Sequence, residues 1–104
     1  MPEPSLIEYL DAHRSEFEED LCQLLRIPSV SAKDENREDI RRAAEWVAGQ
    51  FRRLRFSVEV VPTEGHPLVY AESTKIDGAP TILVYGHYDV QPAEPLEKWI
   101  TPPF

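Results

Sequence analysis

The chain has 104 residues, with 19 acidic against 11 basic side chains and a net charge of −8. That balance disfavours nucleic acid, whose phosphates require a basic surface, and it disfavours an anionic membrane. One domain fits in this length, and 41% hydrophobic residues suffice for a modest core.

No apolar run approaches the roughly 20 residues of a membrane span. The opening Met-Pro-Glu-Pro-Ser lacks the basic and apolar regions of a signal peptide. The single cysteine, Cys22, cannot form an internal disulfide, which suits a reducing compartment. The expected location is the cytoplasm.

Ser5-Leu-Ile-Glu8 fits a capping box. Leu6, Leu10, Phe17, Leu21 and Leu24 then recur on one face of a single helix, with Glu16, Glu18, Glu19 and Asp20 on the other. Pro28 ends this helix near Arg26, and Ser29-Val-Ser31 forms a short connection. A second helix starts at Asp34–Asn36 and runs to Leu54, with Ile40, Ala44, Val47, Phe51 and Leu54 on its apolar face. Acidic residues at its start (Glu35, Glu38, Asp39) and arginines at its end (Arg52, Arg53, Arg55) suit the helix dipole. Both charge runs read as solvated helix faces.

β character follows. Phe56–Val61 is a strand, Glu64–Pro67 a turn, Leu68–Glu72 a second strand and Ser73–Gly78 a loop. Thr81–Tyr85 is apolar along most of its length, which predicts a central strand buried on both faces, with Tyr85 in the core. The expected fold class is α/β: two N-terminal helices followed by β-strands. Glu94–Phe104 reads as a loop awaiting its next element, so the chain is expected to be a piece of something longer.

Chemistry concentrates at Gly86-His-Tyr-Asp89. Residues two apart in an extended backbone point to the same side, so His87 and Asp89 are presented together after the Thr81–Tyr85 run. Three readings stand on these residues alone. The imidazole can ligate a metal with the carboxylate fixing its tautomer; it can act as a general base oriented by the acid; or the pair is a plain hydrogen-bonded strand end. No serine or cysteine lies nearby in sequence to complete a nucleophilic triad. Zinc wants about four ligands, three or more of them usually from protein, and the remaining histidines, His13 and His66, read as structural, as does Cys22 in the core of the first helix.

Gly86-His-Tyr-Asp-Val-Gln-Pro92 resembles the first metal-binding motif of a zinc metallopeptidase family that includes acetylornithine deacetylase, succinyl-diaminopimelate desuccinylase, aminoacylase, carboxypeptidase G and the carnosinase-type dipeptidases. Leu25-Arg-Ile-Pro-Ser-Val-Ser31 resembles the family's segment after its first helix, and Trp99-Ile-Thr-Pro-Pro-Phe104 its tryptophan-to-Pro-Phe loop. The dipeptidase branch is the most similar.

The resemblance implies the N-terminal part of a zinc-peptidase-like catalytic domain with a mixed central sheet. It implies that His87 ligates one zinc of a two-zinc site and that Asp89 is the catalytic-site acid orienting it. Manganese or cobalt are alternative metals. In such enzymes a bridging aspartate and a glutamate base let metal-activated water attack an amide bond of a dipeptide or N-acyl amino acid. Those further residues, and a smaller inserted lid or dimerisation domain, lie outside residues 1–104. The expectation is therefore one partial domain, inactive alone, from a full-length homodimer that binds no nucleic acid and no membrane. The competing expectation is a non-catalytic α/β binding or scaffolding fragment. Trp99 and Phe104 are expected to pack their loop onto the sheet.

Overall fold

The structure, a computed structural model, describes residues 5–104. Three helices, α1 (Leu6–Ala12), α2 (Arg14–Leu25) and α3 (Arg37–Arg53), precede two strands, β1 (Ser57–Val61) and β2 (Leu68–Glu72), with single 3-10 turns at Asp34–Asn36 and Leu96–Lys98. The α/β class is as expected from sequence.

The capping box forms. Ser5 Oγ accepts the Glu8 N–H at 3.2 Å, and the Glu8 carboxylate accepts the Ser5 N–H at 2.8 Å. The single N-terminal helix expected from the apolar spacing is instead two. At His13 the backbone leaves helical geometry (φ −109°, ψ 13°). The His13 ring stacks on Tyr9 at 4.1 Å, and its Nδ1 donates to the Tyr9 carbonyl at 2.9 Å. The His13 backbone N–H reaches the same Tyr9 carbonyl at 3.1 Å, so ring and backbone share it, and helical geometry resumes at Arg14.

α3 carries the core. Ile40, Ala43, Ala44 and Ala48 are buried, and the alanines let α3 lie close on β1 and β2. The helix ends in a Schellman motif: the Phe56 N–H reaches the Phe51 carbonyl (3.1 Å), and the Arg55 N–H reaches that of Arg52 (2.9 Å). The Phe51 and Phe56 rings meet at 5.5 Å across it. The motif places Arg55 at φ 63°, a left-handed position that glycine usually fills. β1 and β2 pair antiparallel from Ser57↔Glu72 to Val61↔Leu68. Thr63 Oγ1 braces their turn, accepting from the Gly65 N–H and donating to the His66 carbonyl.

Thr81–Tyr85 is not a strand. It has no ladder partner, and Ile82, Leu83, Val84 and Tyr85 are 81–90% exposed. A strand apolar on both faces needs neighbours on its edges and cover on its faces. Among the described residues, β1 and β2 satisfy each other and α3 packs against that pair, so nothing reaches this segment. Tyr85, expected in the core, is exposed for the same reason.

Cys22, also expected in the core, is exposed on α2, because Phe17, Leu21 and Leu25 on that helix have themselves found little cover. Phe104 lines a groove with Pro28, Val30, Asn36 and Leu96 rather than packing on the two-stranded sheet. Trp99 is half-exposed, and its indole N–H donates to the Ala93 carbonyl at 2.9 Å. The radius of gyration, 17.0 Å, exceeds the roughly 13 Å of a compact domain this size, in keeping with a core covered on one side. No helix among the described residues is long and apolar enough to cross a membrane.

Candidate functional site

The site is built where the connection after α2 meets the histidine motif. Ile27 and Val30 are buried, which seats residues 27–31 against the body of the chain. Val30 then pairs with Val90 in a parallel bridge. The Val90 N–H donates to the Ser29 carbonyl at 2.9 Å, and the Ser29 hydroxyl, 1% exposed, donates to the Tyr88 carbonyl at 3.0 Å. The backbone is thus held on both sides of Asp89.

A third stretch closes the arrangement. The Tyr88 hydroxyl donates to the Pro67 carbonyl at 2.5 Å, and partial burial raises the phenol's pKa. The His66 Nε2 donates to the Ser31 carbonyl at 3.0 Å. The β1–β2 turn is therefore tied to both segments. Tyr88, between His87 and Asp89 in sequence, is one of the ties.

The Asp89 carboxylate divides its two oxygens. Oδ2 accepts the Ser31 hydroxyl at 2.5 Å, and Oδ1 accepts from His87 Nδ1 at 3.0 Å. The same Nδ1 lies 3.1 Å from the Asp89 carbonyl. The Ser31 hydrogen bond is the main reason that the carboxyl sits below its ordinary pKa; partial desolvation opposes it, and the His87 hydrogen bond adds to it.

An ionised carboxylate only accepts, and so does a carbonyl, so Nδ1 must carry the ring proton. In the neutral ring the Nε2 lone pair is then free, on a side chain 77% exposed. A ring held this way can bind a divalent metal or take up a proton. His87 and Asp89 are thus brought together as the i, i+2 spacing predicts, although no strand holds them.

Among the described residues no group of three or more His, Cys, Asp or Glu side chains could hold a metal ion. The donor set is one aligned imidazole with its orienting acid, which fits one ligand position and not a whole site. His13 and His66 lie outside it as donors, both engaged with backbone carbonyls.

Sequence reasoning missed Ser29 and Ser31. The only signal was the alternation Ser29-Val-Ser31 after Pro28, which puts both hydroxyls on one side of an extended segment. Nothing in the sequence names the partner that those hydroxyls meet.

No protein-family model matches the chain. Over 95% of its length it is 31% identical to the Cys-Gly metallodipeptidase of Schizosaccharomyces pombe, of which it covers 23%. It is 30% identical to the Beta-Ala-His dipeptidase of Rattus norvegicus, over 95% of this chain and 23% of that protein. A solved structure of the di-peptidase Dug1p from Saccharomyces cerevisiae superposes with a TM-score of 0.79 at 27% identity, covering 90% of this chain and 22% of that one. The chain spans about a quarter of the length of the curated relatives it matches. Its resemblance is to the dipeptidase branch, in sequence and in fold.

Proposed function

We propose, from this likeness to metallodipeptidases, that the chain supplies one ligand and its orienting acid to a two-zinc metallohydrolase. The substrate class is a dipeptide or N-acyl amino acid, cleaved at its amide bond. The observation that carries the proposal is the His87–Asp89 hydrogen bond, which engages Nδ1 and leaves Nε2 of this exposed side chain for a metal. The resemblance of Gly86–Pro92 to a metal motif supports it. We further propose that residues 1–104 are part of a larger catalytic domain, that they are inactive alone, and that the complete protein is a homodimer.

His87 would hold the metal through Nε2. Asp89 would keep the ring turned and the Nδ1 proton in place, raising the basicity of the opposite nitrogen. Ser29 and Val90 would keep the backbone carrying both from moving. The metal, when bound, polarises the amide carbonyl and activates water. Zinc fits an imidazole donor, whereas manganese favours oxygen ligands, so this position alone would suit zinc better than manganese.

The test is His87→Ala in the longest natural protein that contains these residues. The expected outcome is loss of one metal equivalent by elemental analysis and loss of hydrolysis of Cys-Gly and β-Ala-His. Unchanged metal content would overturn the ligand assignment. Activity surviving complete chelation would replace the metal reading with metal-free acid–base catalysis by the same pair.

The competing reading, a binding or scaffolding fragment, draws on the exposed Ile82–Tyr85 run, which offers apolar side chains and unpaired backbone to a partner. Size-exclusion of the purified chain separates the two. A compact monomer favours an autonomous module, and self-association favours an orphaned piece of a larger domain.

A further inference from the structure

We infer that Ser31 is a positioning residue: its hydroxyl pins one oxygen of Asp89 so that the other selects the Nδ1–H tautomer of His87. This deepens the proposed role of His87 and rests on that reading only in taking Nε2 as the working nitrogen.

The geometry leads there in steps. A carboxylate with one partner can rotate and offer either oxygen, or both, to whatever approaches. Here Oδ2 is occupied by the Ser31 hydroxyl at 2.5 Å, leaving Oδ1 for the ring at 3.0 Å. Ser31 is itself fixed at its other end, where its carbonyl accepts from His66 Nε2 at 3.0 Å. Its neighbours are fixed as well, since Val30 bridges to Val90 and Ser29 bonds to Tyr88 and Val90. Position 31 is therefore a rigid point from which a hydroxyl can hold an acid in one rotamer. The series His66, Ser31, Asp89, His87 joins the β1–β2 turn, the connection after α2 and the histidine motif.

The consequence lies in the ring. Which nitrogen keeps its lone pair is set by the bond that the other nitrogen makes. Loosening the acid lets the imidazole relax toward the form protonated on Nε2, where it cannot donate to a metal from the exposed side. Ser31 thus acts on ligand quality without touching the metal or the substrate.

The experiment reads the tautomer directly, with no metal and no substrate. Two-bond nitrogen–proton correlation spectra of the longest natural protein that contains these residues, stripped of metal, are recorded at a pH where the ring is neutral, with His87 identified by its absence in His87→Gln. Ser31→Ala is expected to lower the ratio of Nδ1–H to Nε2–H about fivefold, the ratio that corresponds to one ordinary hydrogen bond. Ser31→Thr keeps the hydroxyl and is expected to keep the wild-type ratio. If Ser31→Ala fails to fold, Ser31→Cys decides, being near in size but only a weak donor. Its ratio must fall as well.

An unchanged ratio in Ser31→Ala or Ser31→Cys, with the amide signals of β1 and β2 in place, overturns the inference. So does a fall in Ser31→Thr matching that of alanine. A failed metal-content test with His87→Ala would sink the proposed function and leave the tautomer result standing, so the two failures are distinguishable.

Discussion

Paired alanine substitutions at Ile40 and Leu83 separate the core that exists from the one the sequence suggests. Ile40, near the start of α3, is fully buried and is the largest of the wholly enclosed apolar side chains among the described residues. Ile40→Ala removes three carbons, worth about 0.8 kcal/mol each in lost transfer energy, or about 2.4 kcal/mol. The cavity left behind brings the total into the range of about 2–5 kcal/mol. At about 4–8 °C per kcal/mol for a domain of this size, that total lowers the unfolding midpoint by roughly 8–40 °C.

Leu83 sits in the run that reads as a doubly buried strand, yet it is 90% exposed. Leu83→Ala is therefore expected to change stability by no more than about 0.5 kcal/mol. Thermal and urea unfolding of the 104-residue chain, followed by circular dichroism at a concentration where size-exclusion shows a monomer, measures both, given a two-state transition. A cost of about 2 kcal/mol or more at Leu83, or less than about 1 kcal/mol at Ile40, would refute the packing described.

Asp89→Ala should weaken metal binding 10- to 100-fold in a protein carrying the complete site, the usual loss when a histidine's orienting partner is removed; competition against a chelator reads this. Arg55→Gly should raise stability by up to about 1 kcal/mol, because a left-handed residue with a side chain pays a steric penalty that glycine avoids, partly offset by glycine's freer unfolded state. Chemical denaturation gives the sign, and a destabilised variant would contradict it.

The Lys33–Glu94 ion pair at 2.8 Å ties the loop after the motif to the loop before α3. Lys33 holds the Glu94 carboxyl below its ordinary 4.5, and Glu94 holds the Lys33 ammonium above its ordinary 10.5. The Glu94 contribution is thus complete above about pH 4.5 and lost as pH falls through the lowered value; the Lys33 contribution is complete below about pH 10.5 and lost as pH rises through the raised one. Carbon-detected titration of Glu94 in Lys33→Met should return its midpoint to the ordinary value, and an unchanged midpoint would show that the pair does not form.

Local codes were legible in this chain. The Ser5–Glu8 capping box, the 3.6-residue apolar period of α3, the placement of β2 at Leu68–Glu72 and the adjacency of His87 to Asp89 all depend on interactions a few residues apart. Backbone sterics and side-chain spacing decide such features, and both are written in the order of residues. Even the His87–Asp89 contact survives without the strand expected to display it, because groups two residues apart can meet with no strand partner.

Tertiary structure alone decided which apolar runs found cover and what holds Asp89. Ile82–Tyr85 and the outer faces of α1 and α2 carry the hydrophobic pattern of buried elements. Burial, however, is a relation to a partner surface, and pattern cannot supply the partner. Ser31 and Asp89 lie 58 residues apart. A hydroxyl is compatible with solvent, a cap or a buried network, and only the closing of the chain by the Val30–Val90 bridge shows that this one holds a carboxylate.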